Sequence, residues 1–127
     1  MQVFNDLLGI REIEDGLGVA LDVRAVHLNR LGYVHGGVTS TLVDAAFGVA
    51  CRREWGASVR VVTVELSVHY LRPGKGTRLE ARYAIEHAGR RIMHVRGQVT
   101  NEEGVVVASG SGVLYRLASD TAARAAE

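Results

Sequence analysis

Apolar and polar positions alternate along most of this chain, and one long segment breaks the alternation. Leu17, Val19, Leu21, Val23 and Ala25 alternate with Gly18, Ala20, Asp22 and Arg24, the period-two pattern of a half-buried strand. Four similar stretches fill the second half. Val62, Val64, Leu66, Val68 and Tyr70 share one face over 59–72, opposite Thr63, Glu65, Ser67 and His69. Leu79, Ala81, Tyr83 and Ile85 do so over 77–87, Met93, Val95 and Val99 over 91–100, and a last strand covers 105–116. Arg72-Pro73-Gly74-Lys75-Gly76, Ala88-Gly89-Arg90 and Asn101-Glu102-Glu103-Gly104 supply the turns between them.

The exception runs from Val38 to about Trp55. It is too long and too continuously apolar for a strand, and it predicts a helix. Thr39, Ser40 and Thr41 stand where they can satisfy open backbone donors at its start. Arg52 and Arg53 suit its C-terminal end. Nearly every side chain from Val38 to Cys51 is apolar or small, as in a helix buried on all sides. Phe4, Leu7 and Leu8 predict a short amphipathic helix within an N-terminal extension over 1–16, and the Ala-rich tail, 118–127, is expected to fray. With no repeat or boundary, 1–127 reads as one domain. Strand, helix and four-strand meander make an α+β chain whose antiparallel sheet must wrap the helix. Ala108, Gly110 and Gly112 fall on one face of the last strand, where small residues let the helix come close.

Composition narrows the function classes. The formal net charge is +1, from 15 basic and 14 acidic residues, which argues against a nucleic-acid partner. The single cysteine, Cys51, allows neither an intrachain disulfide nor a Cys-based zinc site, and its apolar surroundings suit packing. His27, His69, His87 and His94 are scattered without metal-ligand spacing, so neither a metal nor another cofactor is expected. The first ten residues carry Asp6 and no basic segment, and no apolar run approaches the roughly 18 residues that span a bilayer. The expectation is a cytoplasmic protein without a membrane partner.

The strongest chemical signal is Asp44. It is the one formally charged residue between Arg30 and Arg52, in the middle of the apolar helix. An unpaired buried carboxylate costs several kcal/mol, so it is compensated either by structural hydrogen bonds or by a role in catalysis. A second signal is His35-Gly36-Gly37, which leads into the helix. Glycines allow a ligand close to the backbone, and a helix N-terminus offers free N–H groups and partial positive charge, the equipment for holding an oxyanion. Gly37 and Asp44 are seven positions apart, about two turns, so they face the same side with a rise of roughly 10 Å between them. One reacting carbonyl cannot touch both. If both serve one site, Gly37 of one helix meets Asp44 of another, as in a two-fold dimer with antiparallel helices.

Asn29 to Asp44 reads Asn-x-x-Gly-x-x-His-Gly-Gly followed by Leu42-x-Asp44. This resembles the signature of hotdog-fold acyl-CoA thioesterases of the PaaI and 4-hydroxybenzoyl-CoA thioesterase type. The resemblance extends over Val61–Gly74 and the strand–helix–meander order, most of the chain beyond Gly16. It implies a hotdog fold, a five-stranded antiparallel sheet of order 1-3-4-5-2 around a long central helix. Dimers would join through the strand after the helix and often pair into tetramers. The implied activity is hydrolysis of aromatic acyl-CoA, such as phenylacetyl- or hydroxybenzoyl-CoA, or of medium-chain acyl-CoA. Gly37 would donate its N–H to the thioester carbonyl. Asp44 of the opposite subunit would act as nucleophile or as general base on water. Asn29 and His35 match positions that orient the thioester and the helix-entry loop, and Thr63 one that places the water or carboxylate.

Taken singly, Asn29 reads as a turn residue, His35 as structural and Thr63 as a strand former. Arg72, Lys75, Arg90 and Arg91 are candidates for the CoA phosphates, although turns also collect solvated charge. Two other readings stand beside hydrolysis. A hotdog hydratase or dehydratase would need an Asp-x-Asn-Pro-x-His or His-Phe-Pro element, which is absent. A non-catalytic acyl-CoA-binding regulator would usually carry a DNA-binding segment, for which about 16 N-terminal residues leave too little chain.

Overall fold

Six antiparallel strands form one sheet around a single long helix in the structure, a computed structural model that describes residues 3–118. The expected frayed tail, from residue 119 onward, lies outside the described residues. The chain runs through α1 (Val3–Leu8), β1 (Arg11–Glu12), β2 (Gly18–Asp22), a 3-10 turn (Ala25–His27), α2 (Gly36–Trp55), β3 (Val61–Tyr70), β4 (Arg78–Ala88), β5 (Ile92–Asn101) and β6 (Val106–Arg116). Lateral order is β1-β2-β4-β5-β6-β3. Without the two-residue β1, this is the predicted 1-3-4-5-2 hotdog arrangement.

The N-terminal extension is helical over six residues only. Gly9, at φ +80°, ends α1 in a left-handed turn, with Gly9 N–H donating to Asp6 O and Ile10 N–H to Asn5 O. The chain then lays β1 against β2, with Arg11 beside Ala20.

The sheet wraps α2 because the two can approach closely. Val38, Leu42, Val43, Ala46, Phe47, Val49, Ala50 and Cys51 are buried along the helix. Leu21, Leu79, Ala81, Met93, Val95, Val99, Ala108 and Leu114 face them from the strands. Glycines set the distance. A Cβ on Gly112 would lie 2.8 Å from two ring carbons of Phe47, and one on Gly110 2.8 Å from a methyl of Val43. Burial also silences Cys51, whose thiol pKa is pushed up to about 11.

Three expectations change in the folded chain. First, α2 is not buried all round. Gly37 is exposed, and Ser40, Thr41, Asp44, Ala45 and Gly48 are only half-buried. A single sheet covers one side of a helix and leaves an open stripe on the other. Second, α2 begins at Gly36, and His35 is its N-cap. Thr39 is buried, and Thr41 donates back to Gly37 O at 2.7 Å. Third, the strict alternation read for β3 is interrupted. Its pairing with β6 slips between Thr63 and Glu65, so Val64 is an extra, bulged residue. The bulge reverses the phase of the strand. Val61, Leu66 and Val68 pack on the core, whereas Val62 and Val64 are 46% and 64% exposed.

Replacing Gly112 by Val tests this packing. The added carbons must displace the ring of Phe47. The expected loss is about 1–3 kcal/mol of unfolding free energy, read as a lower urea midpoint at unchanged m-value.

Candidate active site

The site is assembled from three segments: the loop before α2, the first half of α2 and the edge strand β3. Asn29 organises the loop. Its Oδ1 accepts from the backbone N–H of Leu31 at 2.9 Å and of Tyr33 at 3.1 Å, and its own N–H donates to Tyr33 O at 2.7 Å. The loop is pinned from outside as well. Val34 N–H donates to Gly74 O and His35 N–H to His27 O, each at 2.8 Å. His27 is fully buried and satisfied, with Nδ1 accepting from Arg24 N–H and Nε2 against Leu8 O. The loop therefore enters the helix from a fixed position. Leu28, Asn29, Arg30, Leu31 and His35 line an open depression at this entrance.

His35 caps the helix through its side chain, as Nδ1 accepts the Gly37 N–H at 2.8 Å. The cap places the imidazole against the one glycine expected to hold a substrate oxygen. Tyr70, the last residue of β3, reaches the same turn from the sheet. Its hydroxyl donates to Gly36 O at 2.7 Å and lies 2.5 Å from Ser40 Oγ. The sequence pattern counted Tyr70 among apolar positions and Ser40 among the hydroxyls at the helix start, and read neither as part of the site. The available signal was a tyrosine directly before the Leu71-Arg72-Pro73-Gly74 turn.

Asp44 lies two turns further along α2, half-buried on the open stripe. Thr63 Oγ1 donates to its Oδ1 at 2.7 Å, its one hydrogen-bond partner among the described residues. This contact exists because of the Val64 bulge. Without the phase change, Thr63 and Tyr70, an odd seven positions apart, could not both face the helix. A half-buried carboxylate with one oxygen held and the other open is equipped to attack a carbonyl or to take a proton from water.

The structure thus brings together His35, Gly36 and Gly37 at the entrance, with Asn29 close by, and Asp44 with Thr63 further in. The basic candidates are divided. Arg72 and Lys75 sit at the helix-entrance end, where Arg72 donates to Val106 O at 2.6 Å and the Lys75 ammonium lies 5.3 Å from the centre of the Tyr33 ring. Arg90 and Arg91 sit at the far end of β4, eleven residues or roughly 35 Å away. They cannot join Arg72 and Lys75 on one ligand within a protomer.

Replacing His35 by Ala removes the cap. The expected cost is about 1 kcal/mol of unfolding free energy, measured as a shift of the urea midpoint.

Comparison with known proteins agrees with this architecture. The family model described as thioesterase superfamily matches residues 31–108. The Escherichia coli protein named medium/long-chain acyl-CoA thioesterase YigI is 33% identical over 91 residues, covering 61% of this chain; the chain spans 59% of that relative's length. Among solved structures, a Bacillus halodurans protein determined with CoA is 38% identical, with a TM-score of 0.82 over 89% of this chain and 74% of the other. A mutant of the phenylacetic acid degradation protein PaaI from Thermus thermophilus is 34% identical, with a TM-score of 0.78 over 91% and 99%. With the helix-in-sheet order, the glycine-lined entrance and more than half of the sequence matched, the chain belongs to the thioesterase superfamily, as a hotdog-fold member of PaaI type.

Proposed function

We propose that the protein hydrolyses acyl-CoA thioesters to the free acid and CoA, with Asp44 as the catalytic carboxylate. The observation that carries this reading is the Thr63–Asp44 pair at 2.7 Å, a held carboxylate on the open stripe of an otherwise buried helix. A thioester is electrophilic and its thiolate leaves easily, so one carboxylate and one set of oxyanion donors suffice without a metal or other cofactor. Asp44 either attacks the carbonyl carbon itself, giving an anhydride that water opens, or takes a proton from the attacking water. In both routes the C–S bond breaks and CoA leaves as the thiol.

The carbonyl oxygen takes the N–H of Gly37, with Gly36 leaving room for its approach. In the free protein His35 Nδ1 holds that N–H, and substrate exchanges one acceptor for another. Asn29 and His35 orient the entrance, and Thr63 orients the carboxylate. Because α2 is continuous, its own Gly37 and Asp44 stay roughly 10 Å apart. The site therefore takes Gly37 from one subunit and Asp44 from the other. The dimer forms through β3, an exposed sheet edge ten residues long that carries Val62 and Val64 outward. Dimers of this kind can pair into tetramers. Antiparallel helices bring the Arg90–Arg91 end of one subunit towards the Arg72–Lys75 end of its mate, where the CoA phosphates are held. The acyl group is aromatic or medium-chain, in keeping with the names of the relatives. The location is the cytoplasm, where CoA esters are found, and among the described residues no helix is long and apolar enough to cross a membrane.

Two measurements test the proposal. On a panel of acyl-CoA substrates with free-thiol detection, Asp44→Ala is expected to lose about a hundredfold or more of turnover while remaining folded. Turnover equal to wild type would remove Asp44 from its role. Specific activity is also expected to fall on dilution below the dimer dissociation constant, followed by light scattering alongside the assay. A fully active monomer would contradict the shared site.

A further inference from the structure

The peptide unit joining Gly36 to Gly37 is gripped at both edges. On one edge, Gly37 N–H donates to His35 Nδ1 at 2.8 Å. On the other, the Tyr70 hydroxyl donates to Gly36 O at 2.7 Å. Tyr70 has one hydroxyl proton and spends it on Gly36, so the 2.5 Å contact with Ser40 must use a proton from Ser40. The result is a directed chain: Ser40 Oγ–H to Tyr70 Oη–H to Gly36 C=O. The ring supports this placement, because a Cβ built on Gly36 would lie 3.4 Å from both Cζ and the hydroxyl oxygen of Tyr70. The tyrosine is 53% exposed, yet its hydroxyl is turned in and has both partners among the described residues.

C=O and N–H of a peptide lie in one rigid plane and share its electrons. A hydrogen bond to the oxygen fixes that plane, draws charge towards the oxygen and makes the N–H a stronger donor. In the free protein both His35 and Tyr70 fix the plane. Once a thioester oxygen has displaced His35, the plane is held from its oxygen side, by Tyr70 together with the helical bond that α2 places on Gly36 O.

We propose that Tyr70, backed by Ser40, is a positioning residue that orients and polarises the Gly37 N–H through the Gly36 carbonyl. This rests on the reading of Gly37 as the donor to the thioester oxygen. The Tyr70 hydroxyl is committed to Gly36 and Ser40. It acts through one peptide bond, on the charge that develops as the carbonyl is attacked, so its effect belongs in kcat rather than in KM.

The test uses Tyr70→Phe, Ser40→Ala and Ser40→Thr in the full chain, with octanoyl-CoA and phenylacetyl-CoA as substrates. Tyr70→Phe is expected to lower kcat about tenfold, less than the loss of a direct oxyanion donor, with KM within about twofold of wild type. Ser40→Ala is expected to show a smaller loss in the same direction, and Ser40→Thr, which keeps the hydroxyl, to recover it. The second readout is vibrational. In an Asp44→Asn background, the carbonyl stretch of bound phenylacetyl-CoA is expected to move towards that of the free thioester when Tyr70 is replaced by Phe. Unchanged kcat, or a lower kcat with no shift of the stretch, would overturn the inference and leave the hydrolase reading standing. Wild-type protein that releases no thiol from either ester would overturn both.

Discussion

The close seat of α2 on the sheet is the contact on which everything else in this molecule depends. Phe47 is fully buried, and its ring lies against strand backbone that carries no side chain at Gly97 and Gly112. The distance between helix and sheet is set there. Bring the helix out by one methyl group and Asp44 leaves Thr63, just as Gly36 leaves Tyr70. Both polar contacts span a hydrogen bond of 2.7 Å, and such bonds weaken steeply with added separation. Apolar packing thus determines polar geometry, and the chemistry of the site rests on a surface with no chemistry of its own.

A second constraint is that the wrap is incomplete. One sheet covers one side of the helix, and the uncovered side carries Gly37, Ser40, Thr41, Asp44 and Gly48. Charge is cheaper to keep on this stripe than in the core, because water still reaches it. The same incompleteness leaves β3 at the edge with its outer apolar residues unpartnered. An open helix stripe and an open sheet edge lie side by side, and a second copy laid along that edge would close both. On the proposed shared site, the separation of Gly37 and Asp44 along one continuous helix would be a reason for assembly, since each entrance would need a carboxylate that its own helix cannot deliver.

The entrance itself shows how a helix N-terminus is prepared. The Gly37 N–H is not left bare. His35 Nδ1 holds the Gly37 N–H, whereas Tyr70, in contact with Ser40, holds the opposite side of the same peptide from β3. The loop before it is kept in place by backbone bonds to Gly74 and to the buried His27, so the cap does not have to position itself.

Read alone, the sequence determined the order and type of the long elements, the helix that the sheet encloses, the glycine face of β6 and the singular position of Asp44. These follow from local periodicity and from a charge out of place in an apolar run, both visible within a few residues. The two-turn spacing of Gly37 and Asp44 was equally legible, because helical rise is a constant. What the tertiary structure alone decided is which side chains meet. Thr63 faces Asp44 because one residue, Val64, bulges from the ladder, and a shift of one position exchanges the two faces of a strand. Tyr70 reaches Gly36 across 34 positions of chain, and His35 rather than a threonine caps the helix because the loop delivers its ring to the Gly37 N–H. Asp44 is half-buried rather than buried because the sheet ends at β3. Register, bulges and the extent of cover are properties of strands paired with distant strands, and no window of local sequence contains them.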